Sequence, residues 1–273
     1  MKTLLAVVTV VACLTATGVR AQPSTPFGGD DTGCVPDSKD HLKCSQVIGE
    51  AFGKLIAAVT GCHVKQANAA FRGSSVDEEG CETTAKGKFD GTVADVAAKC
   101  GPVVLAGSAA FESVLLASKS NPQSLDAQNA GPYCDGTADI DPLGDDAGKI
   151  PLTKDGLKCA ARVAKNLAKL AGTVLRCHGR AANAGFRKNG TSSTTNAFAH
   201  EEACEMAALA KFDVGATKIL PVCPPCLDMA HQDDLADNPN TGVIAQVDRV
   251  NVIIYPCPAT TTTTTTSTTT TTA

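Results

Sequence analysis

The chain writes one pattern of apolar and polar positions twice. Cys44, Ile48, Ala51, Leu55, Ala58, Cys62 and Ala69 recur at three- and four-residue steps or their sums, and no proline falls between Ser38 and Arg72. Cys159, Val163, Leu170, Val174, Cys177 and Ala184 repeat that stripe between Thr153 and Arg187, again without proline. Such spacing places the apolar side chains on one face of a long helix. Ser38 and Thr153 are matching N-cap candidates, followed by Asp40 and Asp155 in the first turn, where carboxylates suit the helix dipole. Glycines at 49, 53, 61, 172 and 179 oppose the helix by ~1 kcal/mol each relative to alanine.

A second helix follows in each copy. Ser75 and Glu78 have capping-box spacing, and Cys81, Ala85, Phe89, Val93, Val96 and Cys100 form an apolar stripe that ends before Pro102. Its counterpart has Glu201 and Glu202 leading, then Cys204, Leu209, Phe212, Ala216 and Cys223, with Pro221 marking the end. Each copy therefore predicts a helical hairpin. Downstream, Thr241–Val250 predicts a short third helix or strand, matched to Ala109–Ala117 in the first copy.

The repetition is one of sequence as well as pattern. Residues 42–72 align to 157–187 without gaps, with 13 identities in 31 positions. After an eight-residue insertion, Cys81, Cys100 and Cys134 fall on Cys204, Cys223 and Cys257, and Lys88-Phe89-Asp90 falls on Lys211-Phe212-Asp213. The resulting plan is all-α: two tandem helical hairpin units, residues 22–142 and 143–258, between a leader and a tail.

The leader is residues 1–21, with Lys2, an apolar run from Leu4 and Val19-Arg20-Ala21 at its end, the layout of a secretory signal peptide cleaved after Ala21. Read as a lipobox, Val10-Val11-Ala12-Cys13 would instead anchor the chain through a lipidated Cys13. No later run approaches the ~20 apolar residues of a membrane-crossing helix, so no transmembrane segment is expected in the mature chain. The tail, residues 259–273, is almost pure threonine and too polar to order itself. Without Lys2 and Arg20 the chain has 22 basic and 28 acidic side chains, a net of −6, and no basic cluster that would attract nucleic acid.

Loss of Cys13 leaves 12 cysteines, an even number that fits a disulfide framework in an exported chain. Cys44 and Cys62, like Cys159 and Cys177, are 18 residues apart, five helical turns or about 27 Å, too far to bond each other. Cys81–Cys100 and Cys204–Cys223 have nearly the same separation, 19 residues. Two antiparallel helices so spaced can be stapled at both ends: Cys62 to Cys81 and Cys44 to Cys100, then Cys177 to Cys204 and Cys159 to Cys223. The remaining four are assigned within their own units, Cys34 to Cys134 and Cys226 to Cys257, with cross-unit pairing an open alternative.

Sharper chemistry competes with this carpentry. C-x17-C-H, at Cys44/Cys62/His63 and Cys159/Cys177/His178, is an expanded c-type haem attachment pattern, which would make a dihaem electron carrier. It needs the intervening residues to loop out, whereas they carry helical periodicity. Cys223-Pro224-Pro225-Cys226 has thioredoxin-type spacing, but ends a helix instead of starting one. His200 and Cys204 could share a zinc ion only if the thiols were free. Asp135–Asp146 is acidic but lacks EF-hand order, since Leu143 and Ile150 stand where ligands belong. The expectation is no metal and no cofactor, with His63 and His178 as surface histidines beside disulfides. Around the hairpin turns the repeats share His63, Asn68 and Arg72 with His178, Asn183 and Arg187, a candidate duplicated ligand patch. Asn189-Gly190-Thr191 is a glycosylation sequon.

The order Lys-Cys, five turns, Cys, short turn, Cys and Lys-Phe-Asp resembles uncharacterised secreted bacterial proteins that are Ala- and Lys-rich, with Cys-bearing helical repeats and Thr-rich C-terminal tails. The resemblance implies a bacterial envelope context and no particular activity. This chain departs from it in the histidines after Cys62 and Cys177. The expectation is a non-enzymatic structural, adhesive or binding scaffold, at the cell envelope or outside the cell.

Overall fold

The computed structural model describes residues 26–28, 31–187 and 194–257; the leader, Cys13, the sequon and the Thr-rich tail lie outside them. The two long helices expected from the repeated stripe are α1 (Lys39–Phe71) and α5 (Lys154–Arg187). Ser38 caps α1, accepting the His41 amide at 3.1 Å, and Thr153 Oγ1 accepts the Gly156 amide at 2.9 Å at the head of α5. Each hairpin is closed by a second helix, α2 (Glu78–Val96) and α6 (Thr194–Ile219). The cap of α2 is Asp77, which accepts the Gly80 amide at 2.9 Å, and not Ser75. Glu78 does not reach back in a capping box because its side chain is buried in the hairpin.

Shorter helices complete the copies: α3 (Pro102–Leu115) and α4 (Leu125–Gln128) in the first, α7 (Met229–Asp237) and α8 (Val243–Ile254) in the second. The third element expected at Thr241–Val250 is therefore a helix. Its true counterpart is α4, not residues 109–117, which cover the second half of α3 and its C-cap. Asp126, Asn129 and Tyr133 recur as Asp248, Asn251 and Tyr255 with the same spacing. All six are buried.

The two hairpins meet through α1 and α5, whose mutual contact is the most extensive in the molecule. Ile48, Phe52, Leu55 and Val59 of α1 and Val163, Leu170 and Val174 of α5 belong to one core, all nearly inaccessible to solvent. Glycine brings the helices together: a Cβ on Gly53 would lie 3.1 Å from Gly172 Cα. The helix-weakening glycines at 53 and 172 thus serve a close crossing. Aromatic rings fill the first hairpin, with Phe52 centred 4.6 Å from Phe89 and 5.0 Å from Phe111. Among the described helices, α1 alone is long and apolar enough to cross a membrane, and more than half of that apolar window is buried in the fold. Its apolarity is that of a core helix between α2 and α5.

Four disulfides staple the hairpins: Cys44–Cys100 and Cys62–Cys81 join α1 to the second helix and its end, and Cys159–Cys223 and Cys177–Cys204 do the same from α5. The last four cysteines pair across the repeats. Cys34 bonds Cys257 and Cys134 bonds Cys226, replacing the expected Cys34–Cys134 and Cys226–Cys257. A strand pair, β1 (Pro26–Gly28) and β2 (Asp31–Cys34), decides the first of these. It packs on α8, where the Cys34 amide donates to the Tyr255 carbonyl at 2.8 Å. Gly33, at φ +110°, permits that approach, because a Cβ there would lie 2.7 Å from the same carbonyl oxygen.

Substituting Gly53→Val should therefore push the hairpins apart. Overpacking of this kind costs about 1–3 kcal/mol. The expected outcome is a lower urea midpoint at unchanged disulfide content, and an unchanged midpoint would show that the crossing tolerates a side chain.

Candidate functional site: two buried histidine–carboxylate centres

The histidines that follow Cys62 and Cys177 are not on the surface. His63 is 2 % exposed and His178 is 1 % exposed. One residue after a half-cystine that faces the second helix, each imidazole turns into the hairpin just below the turn. What it meets is a set of carboxylates.

Around His63 Nε2 lie Glu82 Oε1 at 2.9 Å, Asp146 Oδ1 at 3.1 Å, Asp126 Oδ1 at 3.5 Å and Glu78 Oε1 at 3.7 Å. Glu78 and Glu82 are four residues apart, hence on one face of α2. The Cys62–Cys81 bridge sets the register that presents that face to His63. Asp126 comes from α4 and Asp146 from the segment that joins the two repeats. All four carboxylate residues are buried, none more than 9 % exposed.

The second copy rebuilds the arrangement. His178 Nε2 lies 3.0 Å from Glu205 Oε1, 3.4 Å from Asp248 Oδ1 and 3.6 Å from Glu201 Oε1. Glu201 and Glu205 match Glu78 and Glu82 in the repeat, and Asp248 on α8 matches Asp126. Corresponding distances agree to 0.1 Å. Asp146 adds a fourth carboxylate to the first centre, from the segment between the repeats.

Electrostatically the first centre is unbalanced. One imidazolium faces four carboxylates, and among the described residues no lysine or arginine forms an ion pair with them. Lys119 comes near, but its Nζ donates to the Asp146 backbone carbonyl at 3.3 Å. Burial pulls the His63 pKa down, yet the neighbouring carboxylates of Asp126, Glu82 and Asp146 outweigh it and raise the value to about 10. Burial, with the charges of Asp146 and Glu82, pushes Glu78 up to about 9. Burial also raises Asp146 to about 7, against the pull of His63, and raises Asp126. Desolvated carboxylates in such a group share protons or accept a cation.

Hydrogen-bond accounting points the same way. The His63 Nε2–H is a single donor and goes to Glu82 Oε1 at 2.9 Å. Glu78 Oε1, Asp126 Oδ1 and both carboxylate oxygens of Asp146 are buried and accept no hydrogen bond. Buried acceptors are ordinarily satisfied.

The remaining sequence candidates disperse. Asn68 donates to the carbonyl of Val64 at 2.6 Å on its own helix, and Arg72 and Arg187 are exposed, so the shared residues do not form one patch with the histidines. Arg72 instead borders a groove where Lys158, Arg162 and Lys165, on one face of α5, meet Lys218 of α6. Asn183 is half-buried on α5. His200 is exposed and Cys204 is oxidised, which removes the thiolate zinc pairing.

Cys44, Cys62, Cys159 and Cys177 are all in disulfides, so no sulfur remains for a haem thioether. Cys223 and Cys226 bond different partners, Cys159 and Cys134, and do not form a redox couple with each other. The acidic stretch splits up: Asp139 pairs with Lys149 at 2.6 Å, Asp141 accepts the Gly144 amide at 3.1 Å, and only Asp146 enters a centre.

The expectation of no metal centre considered cysteine ligands and a calcium loop. The fold instead assembles nitrogen–carboxylate sets that use neither. Two signals in the sequence pointed there and were missed: Glu-x3-Glu at the same place in both copies, and the recurrent Asp-x2-Asn-x3-Tyr. No protein-family model matches the chain, and neither does any curated protein or solved structure.

Removing one member of a buried charge group strands the others, at about 3–5 kcal/mol. His63→Ala should lower the free energy of urea unfolding by that order. His41→Ala, which breaks an exposed pair with Asp37, should have a much smaller effect. Equal effects would show that the first centre is not a buried charge group in solution.

Proposed function

We propose that this protein is an exported, non-enzymatic binding scaffold that works at the cell envelope or outside the cell, in keeping with the bacterial context its cysteine pattern suggests. One observation carries the reading: all twelve cysteines after residue 21 are joined in six disulfides. That framework fits an oxidising compartment. Export through the leader at residues 1–21 would deliver the chain there, and the Thr-rich tail would serve as a stalk.

Its construction suits holding more than turning over. Helix pairs rich in alanine and glycine bury little area per residue, and each native disulfide in a small secreted domain adds ~2–5 kcal/mol. The two bridges between repeats would keep both hairpins in one fixed relation under proteolysis or dilution. Every cysteine after residue 21 is held in that framework, and the histidines and carboxylates of both centres are buried.

Expression of the full chain with its own leader tests this reading. The mature protein, purified from the extracytoplasmic fraction without reductant, should begin at Gln22. Its mass should fall below that of the reduced polypeptide by two hydrogens for each of the six bridges. A chain that retains its leader and free thiols, or one that carries added haem mass, would refute the proposal.

A further inference from the structure

We propose that each hairpin is a binding site for one divalent transition-metal ion, held by His63, Glu78, Glu82, Asp126 and Asp146 in the first repeat and by His178, Glu201, Glu205 and Asp248 in the second. The assignment rests on the geometry of the centres, not on export.

Donor spacing is the first argument. First-row divalent ions bind imidazole nitrogen and carboxylate oxygen at about 2.0–2.2 Å, so neighbouring donors around one ion lie roughly 2.9–3.6 Å apart in octahedral or tetrahedral arrangements. The carboxylate oxygens stand 2.9, 3.1, 3.5 and 3.7 Å from His63 Nε2, and 3.0, 3.4 and 3.6 Å from His178 Nε2. Within each of three ligand triads (His63, Glu82, Asp126; His63, Glu78, Asp146; His178, Glu201, Glu205) the donor atoms lie within 4.8 Å of one another. Each triad thus offers three donors to one ion, and the other carboxylate oxygens of the set lie within 3.7 Å of the same imidazole nitrogen.

Unsatisfied acceptors are the second. Asp146 is 1 % exposed and neither of its carboxylate oxygens accepts a hydrogen bond, while both sit in a group that already exceeds its single imidazole in charge. A dication would satisfy the oxygens and offset the charge together. Protons shared between the carboxylates are the alternative, and metal loading separates the two.

Duplication is the third. One histidine, two glutamates and one aspartate return in the second repeat with corresponding oxygens facing the imidazole. The staple beside each histidine fixes the two helices that supply most of the ligands, so each site is organised before the ion arrives. Glu79 and Asp145 flank Glu78 toward the solvent and mark an acidic entrance to the first site.

The donor set selects the class of ion. Imidazole with carboxylates suits zinc, manganese or ferrous iron; calcium and magnesium prefer oxygen alone, and copper(I) prefers sulfur.

The full-length mature protein, with its disulfides intact, would be stripped with EDTA, loaded separately with Zn2+, Mn2+ and Ca2+, desalted and counted by elemental mass spectrometry. Two equivalents of zinc or manganese per chain are expected. Glu82→Gln and Glu205→Gln, each nearly isosteric, should each remove one equivalent while circular dichroism and disulfide content stay unchanged. Should either variant misfold, X-ray absorption on the zinc-loaded wild type decides, with a nitrogen–oxygen shell and no sulfur expected. Retention of neither zinc nor manganese, retention of calcium alone, a stoichiometry indifferent to both substitutions, or sulfur in the zinc shell would each overturn the assignment. None of these results depends on where the protein is exported, so the site and the proposed location fail separately.

Discussion

Enclosing a histidine among several carboxylates is expensive, because each ion loses several kcal/mol of hydration that only close and well-aligned partners restore. The alignment depends on the register between two helices. A slide of one residue would carry Glu78 and Glu82 away from His63 by about 1.5 Å and rotate them by roughly 100°. The Cys62–Cys81 bridge forbids that slide, since its half-cystines are neighbours in sequence of the histidine and of Glu82. Cys177–Cys204 does the same for His178 and Glu205. The Cys-His dipeptide is thus two devices in one: a covalent clamp and the group that the clamp positions.

The rest of the molecule is arranged around these two clamped points. α1 and α5 run side by side through a glycine crossing, so the two centres belong to one body. The bridges Cys34–Cys257 and Cys134–Cys226 tie the start of the first repeat to the end of the second, and the end of the first to the turn that follows α6. An apolar cavity of about 90 Å3 lies between the repeats, with His63 at its edge and Phe111, Leu115 and Val247 among its walls. Apolar walls on that side restrict water near the first centre and strengthen the field its charges feel.

Both centres share a core of one histidine and three carboxylates: His63 with Glu78, Glu82 and Asp126, and His178 with Glu201, Glu205 and Asp248. Two of the carboxylates come from the helix stapled beside the histidine and one from the last helix of the same repeat. Asp146 joins the first centre from the segment that connects the repeats, so that centre also holds the linker in place.

Much of this was legible in the residues. The helical stripes, the caps at Ser38 and Thr153, and the stapling of helices with nearly equal cysteine separations all follow from periodicity and reach, which are local or nearly so. Cys34, Cys134, Cys226 and Cys257 were not legible, because their partners depend on where β2 and α8 meet, and no local spacing encodes that. Their within-unit assignment treated each repeat as closed, which the packing of the first strand pair on the last helix contradicts. His63 and His178 were misread for a related reason: helical phase places them one step from the cysteines, but which flank of the stripe the partner helix covers is decided only on packing. The same holds for Asp126, Asp146 and Asp248, which arrive from segments 60 or more residues away in the chain. By itself the sequence determined the all-helical hairpins and their staples, since these rest on interactions within one turn or one hairpin. The tertiary structure alone decided the cross-repeat bridges and the buried centres, because the partners there are brought together only when three or more elements pack and water is removed.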